Sequence, residues 1–133
     1  MNLEKLVADR ELCERIPAGE FENTALVYIE TEIPQQNKTE WRVTVANELI
    51  RRCHNRKLPA PTLQEILAVL PPYGKNEKIL ACCVPDWADF DARVFGEHWR
   101  VGYTGDCSIN DKNPATAALK LWLELKGVEN DKQ

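Results

Sequence analysis

The order of secondary-structure elements predicts an α+β fold, a two-layer sandwich in which helices cover one face of an antiparallel sheet of about four strands. Three observations predict this class. Two pairs of segments rich in β-branched and aromatic residues indicate adjacent strands, each pair is followed by a helical pattern, and a further helical pattern precedes the first pair. The predicted order is α-ββ-α-ββ-α.

The first element is a predicted helix within residues 1–17. The apolar residues of Asn2 to Ile16 fall mostly on one helical face, and Pro17 followed by Gly19 ends the pattern.

Two strands of a hairpin are predicted next, over Thr24 to Glu30 and Trp41 to Val45. The first is β-branched and aromatic, and the second alternates apolar with polar residues, which is the period of a half-buried strand. The stretch from Ile33 to Lys38 has turn composition. Ala46 to Asn55 fits a helix and a continued strand equally well.

An αββα unit is predicted over residues 61–127, and its first helix has a clear start. Thr62 precedes Glu65 by three residues, which is the spacing of a capping box. The apolar face that begins at Leu63 ends at Pro71-Pro72, where a helix cannot continue.

The two strands of this unit are expected at Lys78 to Val84 and at Trp99 to Tyr103, the second extending back over Ala92 to Phe95 with an interruption near Gly96. Loops are expected on either side of the second strand: Asp86 to Asp91 and Thr104 to Lys112.

The last helix is predicted over Ala115 to Lys126. Asn113 and Pro114 form a favourable N-cap and first-turn pair, and Gly127 is a good terminating residue. Its apolar arc is wide enough to pack deeply against a sheet. The tail, residues 128–133, is expected to be mobile.

Three segments resemble small uncharacterised proteins of phages and integrated mobile elements of gut bacteria: Leu12 to Phe21, Pro59 to Leu67 and Asn113 to Gly127. The resemblance implies a fold similar to a phage αββα sandwich and an accessory role in a mobile element. It implies no active site, because the matching segments are capping and packing elements.

Size and composition predict one soluble domain across residues 1–133. Hydrophobic residues make up 44% and charged residues 29% of the chain, as in an ordinary globular protein. Met1 to Lys5 has none of the apolar character of a signal peptide, so we expect a cytoplasmic protein with reduced cysteines and no membrane association. The net charge of −4 disfavours non-specific nucleic-acid binding.

Candidate protein-interface residues are two tryptophans and the arginines that follow them: Trp41, Arg42, Trp99 and Arg100. Tryptophans on the sheet face away from the helices, with arginine beside them, are typical of protein contacts. The competing interpretation places all the tryptophans in the core.

Basic residues are concentrated in one short stretch, which is the candidate nucleic-acid site: Arg51, Arg52, Arg56 and Lys57. Trp41 and Tyr28 are predicted to lie near enough to stack on bases. The competing interpretation is a solvated turn.

Enzymatic chemistry has weak support. Cys53-His54 and the acids Asp86, Asp89 and Asp91 lack the spacing of a nucleophile–base pair or a metal loop, so no catalytic residue, metal or cofactor is assigned. The leading hypothesis is a cytoplasmic binding protein of a phage or mobile element that acts through protein contacts, with a homodimer as one possibility. The alternatives are a nucleic-acid accessory factor and, less favoured, a metal- or thiol-dependent enzyme.

Overall fold

The computed structural model describes residues 3–52, 55–70, 79–84, 96–103 and 108–127. The α+β class is confirmed. The prediction of a single sheet of about four strands is wrong, because the described strands form two antiparallel sheets of three strands each.

The first sheet is built on the predicted hairpin. Strands β1 (Leu26–Ile33) and β2 (Lys38–Val45) pair along their whole length, and a 3-10 turn over Pro34–Gln36 joins them. Asn37 closes this turn with a φ of 50°, in the left-handed region that asparagine tolerates.

A third strand, β3 (Lys57–Pro59), pairs with the other side of β1. Backbone hydrogen bonding to β1 alternates along β3, and it falls on the two neighbours of Pro59. The Ala60 N–H donates to the Leu26 carbonyl, and Leu58 lies opposite Tyr28. Pro59 itself therefore faces the open edge, where a missing N–H costs no ladder hydrogen bond.

A short helix, α2 (Glu48–Arg52), follows β2 and precedes β3 in the chain. It lies in the segment Ala46 to Asn55, which fitted a helix and a strand equally well. Asn47 accepts a hydrogen bond from the Ile50 N–H at 2.9 Å, as an N-terminal capping residue does.

The second sheet has the order β4-β5-β6, with β4 at Ile79–Val84, β5 at His98–Tyr103 and β6 at Ser108–Asp111. Strand β6 lies inside the expected loop Thr104 to Lys112. Its composition is polar because it is a short edge strand, so the local pattern indicates a loop while pairing with β5 makes it a strand.

The two predicted capped helices are confirmed, as α3 (Leu63–Val69) and α4 (Pro114–Leu125). The capping box is complete: Thr62 Oγ1 accepts from the Glu65 N–H at 3.3 Å, and Glu65 Oε1 accepts from the Thr62 N–H at 2.9 Å. Gly127 follows α4 with a φ of 76°, a conformation that favours glycine.

The N-terminal helix expected over residues 1–17 is not continuous. A 3-10 turn over Leu3–Leu6 is followed by an extended segment at Val7, which bridges to Thr62, and then by a single turn of helix, α1 (Arg10–Cys13). The Ala8 N–H donates to the Pro61 carbonyl at 3.2 Å. Hydrogen bonds to distant residues thus replace those that a helix would make.

The hydrophobic core is organised around α4, which contacts α1, α3, β5 and β6. Eight of the twelve residues of α4 are buried. The core around them also includes Val7 and Ala8, Tyr28 of β1, Ile66 of α3 and Val101 of β5.

Three sequence-based predictions fall on residues outside the described ranges: the loop Asp86 to Asp91, the strand segment Ala92 to Phe95 and the mobile tail 128–133.

Candidate functional site

An open cleft of about 980 Å³ lies between the N-terminal segment, one side of α4, strand β6 and Trp41 of β2. Its apolar surface includes Trp41 and Ile109. Its charged lining consists of five acids and three bases: Glu4, Asp9, Glu11, Asp111, Glu124, Arg10, Arg15 and Lys120.

One wall of the cleft is fixed by hydrogen bonds between the N-terminal segment and α4. Asn113 caps α4 through Oδ1, and its Nδ2 donates to the Val7 carbonyl at 3.0 Å. The Asp9 N–H donates to Thr116 Oγ1 at 3.0 Å. The start of α1 is therefore held at a defined place beside α4.

Two arginines contact the ring of Trp41, and we call Arg10, Trp41 and Arg56 the Trp41 cluster. The guanidinium carbons of Arg10 and Arg56 lie 5.3 and 5.5 Å from the Trp41 ring centroid, within the range of cation–π attraction. Glu14 holds Arg10 through an ion pair of 2.8 Å.

Strand register explains why Arg56 reaches Trp41. Glu30 of β1 lies opposite Trp41 on one side, and its N–H donates to the Arg56 carbonyl on the other at 2.9 Å. Residues directly opposite one another across strands share a sheet face, so Arg56 and Trp41 project from the same face.

The charges of the cleft are mixed rather than uniformly basic. Lys120 pairs with Asp111 at 2.9 Å, which leaves acids in the majority along the described lining. Such a surface repels a polyanion and suits a partner that carries both signs of charge or an excess of positive charge.

Beneath the cleft, Tyr28 and Cys13 both point at the carbonyl of Ala8. The Tyr28 hydroxyl donates to that oxygen at 2.7 Å, and the Cys13 Sγ lies 3.7 Å from it. Burial, with a smaller contribution from the charge of Asp9, raises the pKa of the Cys13 thiol to about 12. Burial also raises the pKa of Tyr28. Cys13 is thus a protonated core thiol at neutral pH and not a nucleophile.

The four predicted protein-interface residues do not form one stripe. Trp41 is in the first sheet and Trp99 in the second, and both are partly buried. Trp99 lies two residues from buried Val101 and therefore shares its sheet face, on the strand that α4 contacts. Arg42 projects from the face opposite Trp41, and Arg100 Nε donates to Asn110 Oδ1 at 3.0 Å.

The predicted basic site is divided by the fold. Arg56 joins the Trp41 cluster, while Lys57, the next residue along β3, lies opposite Ile29 and projects from the other face. Arg52 pairs with Glu48 at 2.5 Å on exposed α2, and Arg51 belongs to the same helix.

Arg10 is the residue of the candidate site that sequence reasoning missed. Its spacing from Glu14 indicates only a helical ion pair, and nothing local connects it to Trp41. The contact depends on the break at Val7 and the anchoring of Asp9, which long-range hydrogen bonds determine.

Two other kinds of feature, a metal site and a membrane-spanning helix, are absent from the described ranges. No group of three or more His, Cys, Asp or Glu side chains is placed there to hold a metal ion. None of the helices described is both long enough and apolar enough to cross a membrane.

Comparison with known proteins gives no relative: no protein-family model, curated protein or solved structure matches this chain.

Proposed function

We propose that this protein is a small binding protein that holds a segment of a partner protein in the 980 Å³ cleft, with the Trp41 cluster as its anchor. The observation that carries the proposal is a partly buried tryptophan at a cleft, with the guanidinium groups of two arginines over its ring. Tryptophan and arginine are the side chains most enriched among residues that dominate binding energy at protein interfaces.

The construction of the cleft supports this role. Its wall is fixed by side chain to backbone hydrogen bonds from Asn113 and Thr116, so little ordering is needed when a partner binds. The mixed charge of the lining suits a protein segment better than a nucleic acid. The sequence resemblance supports an accessory role for a phage or mobile element.

The test is affinity capture from a bacterial lysate, in nuclease-treated and untreated halves, with the wild-type chain and two variants. Trp41→Ala removes the anchor. Leu49→Ala is the matched control, because Leu49 is a large apolar residue that is 78% exposed and does not line the cleft. We expect a protein captured in stoichiometric amount by wild type and Leu49→Ala, with and without nuclease, and lost with Trp41→Ala.

A partner captured equally by wild type and Trp41→Ala would contradict the proposal. Circular dichroism and a urea titration of each variant check that a lost partner does not reflect a lost fold.

A second candidate is a nucleic-acid accessory factor, favoured by one observation: Arg56 of the basic stretch contacts the Trp41 ring, which could stack on a base. This function requires oligonucleotide affinity that falls steeply with salt and is lost in Arg51→Glu/Arg52→Glu. Capture that disappears on nuclease treatment favours this candidate, and affinity that survives the double substitution rejects it.

A further inference from the structure

Strand β2 forms an outer edge of the first sheet. It pairs with β1 on one side, and no described strand pairs with its other side. The 3-10 turn Leu3–Leu6 contacts β2, but none of the described backbone hydrogen bonds joins the two. Five of the eight residues of β2 are exposed and the other three are partly buried. An edge strand of this length is a template for pairing with another strand.

The backbone register shows which groups this edge offers. The Ala46 N–H donates to the Ala25 carbonyl at 2.9 Å, and these residues continue the register of β1 with β2. Because bonding alternates along an antiparallel pair, the even-numbered residues of β2 direct their backbone groups toward β1. The odd-numbered residues, Trp41 among them, direct theirs outward.

The even-numbered side chains carry alternating charge on the face opposite Trp41. Lys38, Glu40 and Arg42 follow one another on this face. The Glu40 and Arg42 side chains are 48% and 66% exposed, and within the chain they approach only to 3.8 Å. An exposed pair at that distance contributes little to the stability of the monomer.

We propose that β2 pairs in antiparallel fashion with β2 of a second copy of this chain, about a two-fold axis that passes beside Trp41. In this register the outward backbone groups of Thr39, Trp41 and Val43 meet their counterparts. Arg42 of each copy then lies directly opposite Glu40 of the other, so two ion pairs form across the axis. These positions are the closely spaced pairs of an antiparallel ladder, where side chains interact most strongly.

Neighbouring registers are disfavoured by the same charges. A shift of two residues in one direction places Glu40 opposite Glu40, and a shift in the other places Arg42 opposite Arg42. A shift of one residue places the outward backbone groups of one copy opposite even-numbered residues of the other, whose backbone groups are already hydrogen-bonded to β1. The charge pattern of β2 is therefore self-complementary in one alignment, as a two-fold interface requires.

The pairing also brings together the Trp41 residues of the two copies, so that their clefts adjoin across the axis. The pairing itself rests on the edge of β2 and does not depend on the proposed function of the cleft.

The test is sedimentation velocity and light scattering of the full chain with charge-reversal variants. We expect wild type to dimerise, and Glu40→Arg and Arg42→Glu each to weaken dimerisation about tenfold or more, because two attractive pairs become two repulsive pairs. An equimolar mixture of these two variants is expected to form a heterodimer, and the double variant Glu40→Arg/Arg42→Glu to recover the homodimer.

Lys112→Glu is the matched control, since Lys112 is exposed and distant in the chain from β2. It is expected to leave the dimerisation constant within about twofold of wild type. A wild-type chain that stays monomeric at its solubility limit would overturn the proposal. So would a dimer that Arg42→Glu and Glu40→Arg leave unchanged, or two monomeric variants that fail to associate when mixed.

Discussion

Trp41 and Trp122 show two opposite uses of the same side chain. Trp122 is 1% exposed, lies in the middle of the α4 core and packs edge-on against Phe21, with the two ring centroids 4.9 Å apart. Trp41 is partly buried, and its immediate neighbours include two guanidinium groups rather than apolar rings. The first ring stabilises the fold, whereas the second retains accessible surface that a partner can cover.

The difference shows that counting tryptophans does not separate core from interface. What separates them is the element that carries each ring. Trp122 belongs to a helix with a wide apolar arc that is buried in the core. The strand that carries Trp41 lies at the edge of its sheet, beside a cleft.

The largest expected loss of stability comes from removing the buried ring, Trp122. Trp122→Ala should lower the free energy of unfolding by about 3–5 kcal/mol, because it leaves a large cavity in the core. Trp41→Ala should lower it by about 1 kcal/mol, since the site opens to solvent. Urea denaturation of both variants measures the difference, and equal losses would contradict the distinction between the two rings.

Alkaline pH is expected to destabilise the folded protein through the buried thiol of Cys13. The folded protein holds Cys13 protonated up to a pKa of about 12, whereas the unfolded thiol titrates near 9. The stabilising contribution is thus complete below pH 9 and is lost as pH rises toward 12. We expect the free energy of unfolding to fall by up to about 1.4 kcal/mol per pH unit from this group.

Cys13→Ala is the control for that experiment, because it should remove this part of the slope. A wild-type slope above pH 9 that matches the slope of Cys13→Ala would show that Cys13 does not titrate as described.

An intermediate loss of stability is expected from a change at the start of α3, the helix that packs against α4. Thr62→Ala removes the cap of α3, while the backbone bridge from Thr62 to Val7 remains. The expected loss is about 1 kcal/mol of unfolding free energy, measured by thermal or urea denaturation. A matched Thr31→Ala substitution, at a partly buried position of β1 that caps no helix, should cost less.

The smallest effect on stability is expected from the arginines of the Trp41 cluster. Arg10→Ala and Arg56→Ala should each change unfolding free energy by about 0.5 kcal/mol, as for exposed cation–π contacts. Each should nevertheless shift the indole N–H resonance of Trp41 in a two-dimensional NMR spectrum while leaving that of Trp122 in place. Unchanged Trp41 resonances in both variants would contradict the cluster.

Elements that local chemistry determines could be predicted from the sequence. The capping box at Thr62 and Glu65 and the helix between Asn113 and Gly127 carry their signals within a few residues, and the structure confirms both. The hairpin of β1 and β2 follows from alternation and a turn-forming stretch in the same way.

Elements that depend on distant partners could not be predicted. Val7 leaves the helical path because Asn113 donates to its carbonyl and the adjacent Ala8 N–H donates to Pro61, and no local pattern indicates those bonds. Polar β6 becomes a strand only by pairing with β5. The candidate site shares this limit, since Trp41 and Arg56 could be singled out from the sequence while their contact with Arg10 could not.

The bond from Asn113 to Val7 also affects the timing of folding. Its two residues are 106 positions apart, and those joined by the bond from Asp9 to Thr116 are 107 apart. During synthesis, the segment that forms one wall of the cleft must wait for α4 to leave the ribosome before it can dock. The hairpin needs no such delay, because β1 and β2 adjoin in the chain. The cleft is therefore completed late, after the sheet edge beside it already exists.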